Sequence, residues 1–418
     1  MTDDSEVREA VARAHRREWA VVLAATVRLV RDLDLAEECA QDAYAHALRT
    51  WAVNGVPAKP GAWLTTVARN RAKDVLRRES VLRSALPLLV TDDVVPGPED
   101  RPEGSVFDDD RLRLIFTCCH PALSRDAQVA LTLRLVCGLS TTEVARAFLV
   151  QETAMAARIT RAKKKISGAR IPYRVPSSAD LPERVAAVME VVHLVFTTGH
   201  AAPVGKDLVR EDLVDGAIHL ARTLHQLLPD NTDITGLLAL MLLTDARRDS
   251  RLSADGRLVL LAEQDRTRWD VDLIREGTTL LTEALRRGRP TKYSVQAAIA
   301  AVHTEAATWE DTDWVEVVGL YEVLVRLWPS PVVELNRAVA IGFRDGPEAG
   351  LAALAPLLEE PALGTYAYLS AARADFLRRL GRWAQAATSY EEALALTDND
   401  VERDFLARRL EEVTLHLG

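Results

Sequence analysis

The sequence predicts an all-α protein. Three observations carry the expectation. Apolar residues make up 48% of the 418 positions while aromatics make up only 5%, so the cores must be built mainly from Leu, Val and Ala. Alanine and leucine are good helix formers. Apolar residues also recur at helical spacing through most of the chain, and Pro and Gly gather in a few short stretches that read as breaks. The length exceeds one ordinary core, so several domains are expected.

Residues 7–51 place Val7, Val11, Trp19, Val22, Leu23 and Val27, then Leu35, Cys39, Ala43 and Ala47, at helical spacing. AVNGVPAKPG (52–61) interrupts the pattern. A helix from about Ala62 to Arg78 follows, with Trp63, Leu64, Val67, Ala68, Val75 and Leu76 on its apolar face. Arg69, Asn70, Arg71, Lys73, Arg77 and Arg78 form a cationic opposite face. Residues 87–110, PLLVTDDVVPGPEDRPEGSVFDDD, are acidic and rich in Pro and Gly, which is linker composition. Helical pattern resumes at Arg111 and runs to about Gly168. IPYRVPSSADLP (171–182) is a second linker, and helices continue from Glu183 to the end. The expected domains are therefore 1–83, an acidic linker 84–110, 111–170, a linker 171–182, and 183–418.

The stretch LSTTEVARAFLVQETAMAARITRAKKKI (139–166) reads as a helix-turn-helix. Ser140 and Glu143 form a capping box, and Val144, Ala147 and Phe148 give the first helix an apolar face. A turn at 149–152 leads to a second helix from about Thr153 to Ile166, with Met155, Ile159, Ala162 and Ile166 on its buried stripe. The exposed face carries Ala156, Ala157, Thr160, Arg161 and Lys164, with Arg158 beside it. Small residues let backbone approach base edges, and arginine offers a donor pair to guanine. Lys163, Lys164 and Lys165 suit phosphate. Residues 158–174 hold seven cations and no acid within a chain of formal charge -9, and a helix dipole alone accounts for only one or two of them. Duplex DNA is the expected partner of this face.

The charged N-terminal segment has no signal-peptide core, and runs such as LLALMLL are too short to span a bilayer, so a cytoplasmic protein without membrane contact is expected. Cys39, Cys118, Cys119 and Cys137 contain no CxxC pair; they read as small buried apolar residues in a reducing compartment. The histidines of the C-terminal half (193, 200, 219, 225 and 303) are scattered, and no metal or cofactor is expected.

These segments resemble a known family. GAWLTTVARNRAKDVLRRE is similar to the promoter -10 reading segment of the sigma-70 superfamily, extracytoplasmic-function (ECF) type. DLAEECAQDAYAHALRTW resembles the preceding helix, which docks on the β′ clamp helices of core RNA polymerase. The helix-turn-helix resembles the domain that reads the -35 element; many relatives carry Pro-Glu-Gly-Thr in its turn, where this chain has Gln151-Glu152-Thr153-Ala154. The resemblance implies that Asn54, Lys59, Trp63, Arg69, Asn70 and Lys73 surround a flipped -10 base, with Arg77 and Arg78 on phosphates. Trp63 also falls on the apolar stripe, where a core role suits it. The resemblance further implies that Glu37, Glu38, Gln41 and Asp42 face the clamp. The resemblance also implies the β subunit as a second polymerase contact and an acidic linker that threads the cationic cleft of the enzyme; a plain tether is the other reading of that linker.

TCCHPALS, GLLALMLLTDARR, LAEQDRTRWD, YSVQAAIAAVHTEA, SPVVELNRAVAI and ERDFLARRLEE resemble a subgroup with a tetratricopeptide-like C-terminal extension. GRWAQAATSYEEALAL (381–396) places Ala386, Tyr390 and Ala393 at the packing positions of one such unit, after Ala374 and Leu377 of its preceding helix. PVVELNRAVAIGFRDGPEAGLAALAPL reads as a degenerate copy. LAEQDRTRWD has two readings, a recognition or interdomain contact and a capped helix with local ion pairs. The C-terminal half shows no phosphate loop, HExxH or Ser-His-Asp constellation. The leading expectation is a non-catalytic sigma factor whose partners are core polymerase and promoter DNA, with a regulatory partner, separate or intramolecular, for its C-terminal domain. The alternatives are a helix-turn-helix regulator with a repeat-type sensor domain, independent of polymerase, and an interaction scaffold.

Overall fold

The computed structural model describes residues 4–85, 110–148, 150–202, 204–206 and 208–417. Among them are eighteen α-helices and only one pair of two-residue strands, so the fold is all-α. The chain divides into two compact units, residues 1–192 and 193–418. Nearly all of the acidic linker lies outside the described residues.

In the first unit, α1 (Asp4–Val30), α2 (Leu33–Asn54) and α3 (Pro60–Ala85) pack on one another. The periodicity of residues 7–51 is thus divided at Arg31, which has a positive φ of 56°, and Asp32, whose carboxylate caps α2 by accepting from Leu35 N at 2.8 Å. Gly55, with φ 76°, ends α2 in a conformation that favours glycine. Val7, Trp19, Val22, Leu23, Cys39, Ala43, Ala47 and Trp51 form the core, joined by Leu64, Ala68 and Ala72 of α3. Val67, Val75 and Leu76, expected inside, are only half-buried.

The helical stretch after Arg111 resolves into α4 (Asp110–Cys118), α5 (Arg125–Leu131), a π-helical turn at Thr132–Val136, α6 (Thr141–Ala147) and α7 (Glu152–Gly168). Cys118 and Cys119 are fully buried, as the sequence suggested, and burial raises their thiols above the usual range, Cys119 to about 11. Gly138 (φ 75°) follows the π turn. A Cβ there would come within 3.0 Å of the Trp19 ring, so both conformation and space demand glycine. Helix α8 (Leu181–His200) begins within the last two residues of the expected second linker. Its Arg184 donates to Phe116 O at 2.5 Å, and its Glu190 pairs with Arg125, so its early turns belong with the first unit.

The second unit is a succession of neighbouring helices: α9 (Glu211–Leu227), α10 (Thr232–Asp245), α11 (Val271–Arg287), α12 (Lys292–Glu305), α13 (Trp314–Leu327), α14 (Pro331–Asp345), α15 (Pro347–Leu354), α16 (Ala367–Arg379), α17 (Trp383–Ala395) and α18 (Asp400–Thr414). From α12 onward each helix packs on the next, the arrangement in which a repeat buries its apolar face only against its neighbours. Ala374, Leu377, Ala386, Tyr390 and Ala393 share one buried cluster, as the repeat spacing predicts. Gly342 and Gly350 leave room for the Phe376 ring, which a Cβ at either position would strike. The unit also closes on itself. Val204–Gly205 pairs in parallel with Asp398–Asn399, and fully buried Asn399 donates from Nδ2 to Ala202 O at 2.9 Å. Its Oδ1 meanwhile accepts from Val401 N and Glu402 N and caps α18.

Candidate promoter and polymerase interface

The helix-turn-helix forms as its local chemistry dictates. Ser140 N donates to Glu143 Oε2 at 2.6 Å and Glu143 N donates to Ser140 Oγ at 3.2 Å, completing the capping box of α6. Met155, Ile159, Ala162 and Ile166 of α7 are all buried. That leaves Ala156, Ala157, Thr160, Arg161, Lys164 and Lys165 exposed on one continuous surface. Arg158 is held beside it, 5.3 Å over the Phe148 ring and 3.4 Å from Asp126.

On α3, Arg69, Asn70, Lys73, Arg77 and Arg78 are exposed, and the loop before it leaves Asn54 and Lys59 exposed. Arg77 lies 4.0 Å from Asp74. Arg71 turns away to Asp42, with Nε donating at 2.8 Å. Trp63 is half-buried. It stacks on His46 at 5.7 Å and meets Trp51 edge-on at 5.6 Å, so one side is packed while part of the ring remains accessible.

Two candidates sit elsewhere than expected. Glu37, read as part of an exposed clamp-facing surface, is only 7% exposed. Lys163, read as a phosphate contact, is 9% exposed. Lys163 Nζ donates at 2.7 Å to both Glu37 Oε2 and Asp34 Oδ1, and Arg134 from the π turn pairs with the other oxygen of Glu37. Burial alone lowers a lysine, but Glu37 and Asp34 outweigh it, and Lys163 is held above its ordinary value. Further ties run beside this cluster. Trp19 Nε1 donates to Leu135 O at 3.1 Å, and the Tyr173 hydroxyl lies 3.0 Å from Ala24 O and 3.1 Å from Asp110 O. Within the first unit, then, α2 and α7 are fastened together. Glu38 and Gln41 remain exposed and Asp42 half-exposed, with Gln41 donating to Glu37 at 3.2 Å. Local patterning could not reveal the cluster, because Lys163 lies 126 residues after Glu37 in sequence.

Comparison with known proteins decides what this pair of basic helices is. Residues 14–81 match the family described as sigma-70 region 2, and residues 113–166 match sigma-70 region 4. The chain belongs to the sigma-70 family. Residues 184–285 of this sigma factor match a family of unknown function, DUF6596. An uncharacterized protein of Rhizobium meliloti (strain 1021) is 45% identical over 395 residues, covering 94% of this chain and 93% of that protein. A sigma-70 family protein serves as a non-catalytic subunit, and its region 2 and region 4 domains imply core RNA polymerase and promoter DNA as partners. No helix among the described residues is long and apolar enough to cross a membrane.

In the second unit, the LAEQDRTRWD segment (261–270) is largely an internal tie. Asp270 Oδ1 caps α11 by accepting from Asp272 N and Leu273 N. Trp269 is buried and donates to Ser250 Oγ at 2.9 Å, and that hydroxyl donates to Gln264 at 3.1 Å. Arg266 Nη1 donates to the carbonyls of His303 and Ala306, both at 2.6 Å. Separately, a cavity of about 490 Å³ lies among α14, α16 and α18, walled by Phe343, Tyr366, Phe376, Tyr390 and Phe405. That is the size and character of a small-ligand site.

Proposed function

We propose that this chain is an ECF-type sigma factor carrying its own regulatory domain. The observation that carries the reading is α7. Its apolar stripe is fully packed while Ala156, Ala157, Thr160, Arg161, Lys164 and Lys165 stand free on the opposite side. Small residues over the first turns and cations over the last suit a major-groove reader anchored on phosphates. Region 2 and region 4 are separated only by residues 82–112, which leaves no room for another domain and fits the compact two-module ECF organisation. Arg69, Asn70 and Lys73, with Asn54, Lys59 and the accessible part of Trp63, contact the opened -10 strand, and Arg77 and Arg78 contact its phosphates.

Glu38, Gln41 and Asp42 offer acid and amide groups to the clamp. Glu37 can join them only after Lys163 and Arg134 let go. The free chain is therefore closed, and docking on polymerase exchanges an internal ion cluster for an external one. The second unit acts as a tetratricopeptide-like regulator of this exchange in the same chain. Support comes from its stacked helices, its lack of a catalytic constellation in the sequence, and its aromatic cavity. The protein then works in the cytoplasm, where its polymerase is.

The test is promoter-specific run-off transcription with core polymerase, comparing the full chain with one ended after His200, the last residue of α8. Higher activity of the shortened chain assigns an inhibitory role to the second unit, and lost activity with an intact N-terminal fold assigns a required positive one. Equal activity removes the regulatory role.

A further inference from the structure

The cavity of about 490 Å³ in the second unit is framed by three helix faces and one loop. Helix α14 supplies Val339 and Phe343, α16 supplies Ala371 and Asp375, and α18 supplies Glu402 and Phe405, each pair three or four residues apart and so on one face. A turn closed by the antiparallel bridge between Leu252 and Leu258 brings Leu258 and Leu260 to the wall. The wall gathers three of the seven phenylalanines, Phe343, Phe376 and Phe405, and three of the seven tyrosines, Tyr366, Tyr368 and Tyr390. Aromatics are only 5% of this chain, and its helices pack elsewhere through Leu, Val and Ala, so packing alone does not call for this concentration. A space of this size with mostly apolar walls and a few polar groups suits a small organic molecule.

Three charged side chains reach the wall, and their partners differ. Asp375 accepts from Arg378 at 2.7 Å. Arg409 is held by Glu412 at 2.9 Å and Glu263 at 3.4 Å, so an anionic head would find it already paired twice. Glu402 is half-buried, and no ion pair joins it to a cation among the described residues. Its Oε1 accepts from the Tyr368 hydroxyl, a neutral donor. The field of Arg251 reaches Glu402, but that guanidinium donates to His200 O instead. Beside Glu402 the Tyr366 and Tyr368 rings lie 5.2 Å apart and tilted by 50°, and Tyr368 is 47% exposed. Burial first, and then the Glu402 charge, hold the Tyr366 hydroxyl above its ordinary range. The cavity therefore has one corner made of two tyrosine rings and an acid that lacks a counter-charge.

We infer that this cavity binds a small apolar or aromatic amine, with its ammonium group at the Tyr366–Tyr368–Glu402 corner and its body among Phe343, Phe376 and Phe405. An ammonium is attracted by the faces of tyrosine rings and donates charge-assisted hydrogen bonds to a carboxylate. Phe343 and Phe376 are already set in place, since Arg379 lies 5.0 Å and 5.9 Å over their rings. A bound amine supplies the charge that Glu402 lacks and ties α14, α16 and α18 together. Its use as a signal for the first unit rests on the regulatory reading above, whereas the binding itself does not.

Binding is measured by titration calorimetry on the full-length chain without polymerase, so its failure leaves the sigma reading untouched. Three probes share an indole ring and differ in the head: tryptamine carries an ammonium, tryptophol a hydroxyl and indole-3-propionate a carboxylate. At neutral pH tryptamine is expected to bind at least about fivefold more tightly than either of the others. Glu402→Gln keeps an acceptor for Tyr368 and removes the charge. It is expected to bring tryptamine down to the affinity of tryptophol and to leave tryptophol within about twofold of its wild-type value. Ala371→Phe places a ring in the space and is expected to abolish binding of every probe, with circular dichroism checking its fold. Should that variant not fold, the Glu402→Gln comparison decides alone. No tryptamine binding at millimolar concentration, equal affinity for the three heads, or a tryptamine affinity unchanged in Glu402→Gln overturns the inference. Binding that survives in a folded Ala371→Phe also overturns it, since the probe would then sit elsewhere.

Discussion

Lys163 Nζ lies 2.7 Å from Glu37 Oε2 and 2.7 Å from Asp34 Oδ1, so a lysine of α7 neutralises two acids of α2. Glu37 is the hub, because Arg134 holds its second oxygen. Removing one partner of a buried pair costs most when it strands charge. Glu37→Leu takes the carboxylate from Arg134 and leaves Lys163 only Asp34, and is expected to lower stability by about 3–5 kcal/mol. Lys163→Met leaves Glu37 paired with Arg134 and is expected to cost less, about 1–2 kcal/mol. Urea unfolding of both variants and the double variant measures this. Equal or reversed costs would show that the cluster does not hold the unit together.

The exposed face of α7 gives a second expectation. Arg161→Glu and Lys164→Glu are expected to weaken promoter binding by the assembled holoenzyme and to lower the slope of log K against log salt by about 1 for each phosphate no longer neutralised. Ser at either position should lie between. An unchanged slope in both reversal variants would remove α7 from the DNA interface.

Asn399 joins the two ends of the second unit and caps α18 at the same time. Asn399→Ala loses the cap and leaves Ala202 O unsatisfied in a buried setting, a combined cost of about 2–4 kcal/mol. Asn399→Asp keeps the cap acceptor but loses the amide donor. Denaturant titration should therefore rank wild type above either variant. Two variants indistinguishable from wild type would mean that the closure contributes nothing.

Three half-buried histidines set a pH dependence. Burial holds His193 and His303 at about 4 and His200 well below its ordinary value. The unfolded chain takes up protons near 6.5 while the folded chain does not, so the unfolded state binds more protons between about 6.5 and 4. Stability is therefore complete above about 6.5 and falls as the pH drops toward 4, by on the order of 2 kcal/mol for each of His193 and His303, with His200 adding in the same direction. Denaturant titrations at pH 7.5 and 5 check the sign. A flat profile that persists in His303→Phe would contradict it.

Helix class, the helix-turn-helix and the packing of the helix pair around Ala386 and Tyr390 were legible because each is written in local spacing. The stripe Met155, Ile159, Ala162 and Ile166 packs as its period requires, and the capping box at Ser140 closes as its residue types require. The break at Arg31–Asp32 was harder to place, since one Asp cap has to outweigh continuous apolar periodicity on both sides. Ala72 entered the core unannounced, because alanine is equally at home on a helix surface. The burial of Glu37 and Lys163 was invisible, since a charged residue on a helix face looks solvated until a distant segment supplies its partner.

Core polymerase, promoter DNA and the purified chain in a run-off assay test the central claim most directly, with Arg161→Glu as the paired control. The account predicts a transcript of defined start that requires the chain and is lost, or reduced at least tenfold, in the variant. A chain that neither associates with core polymerase nor directs any defined start, while binding duplex DNA tightly by itself, would contradict it.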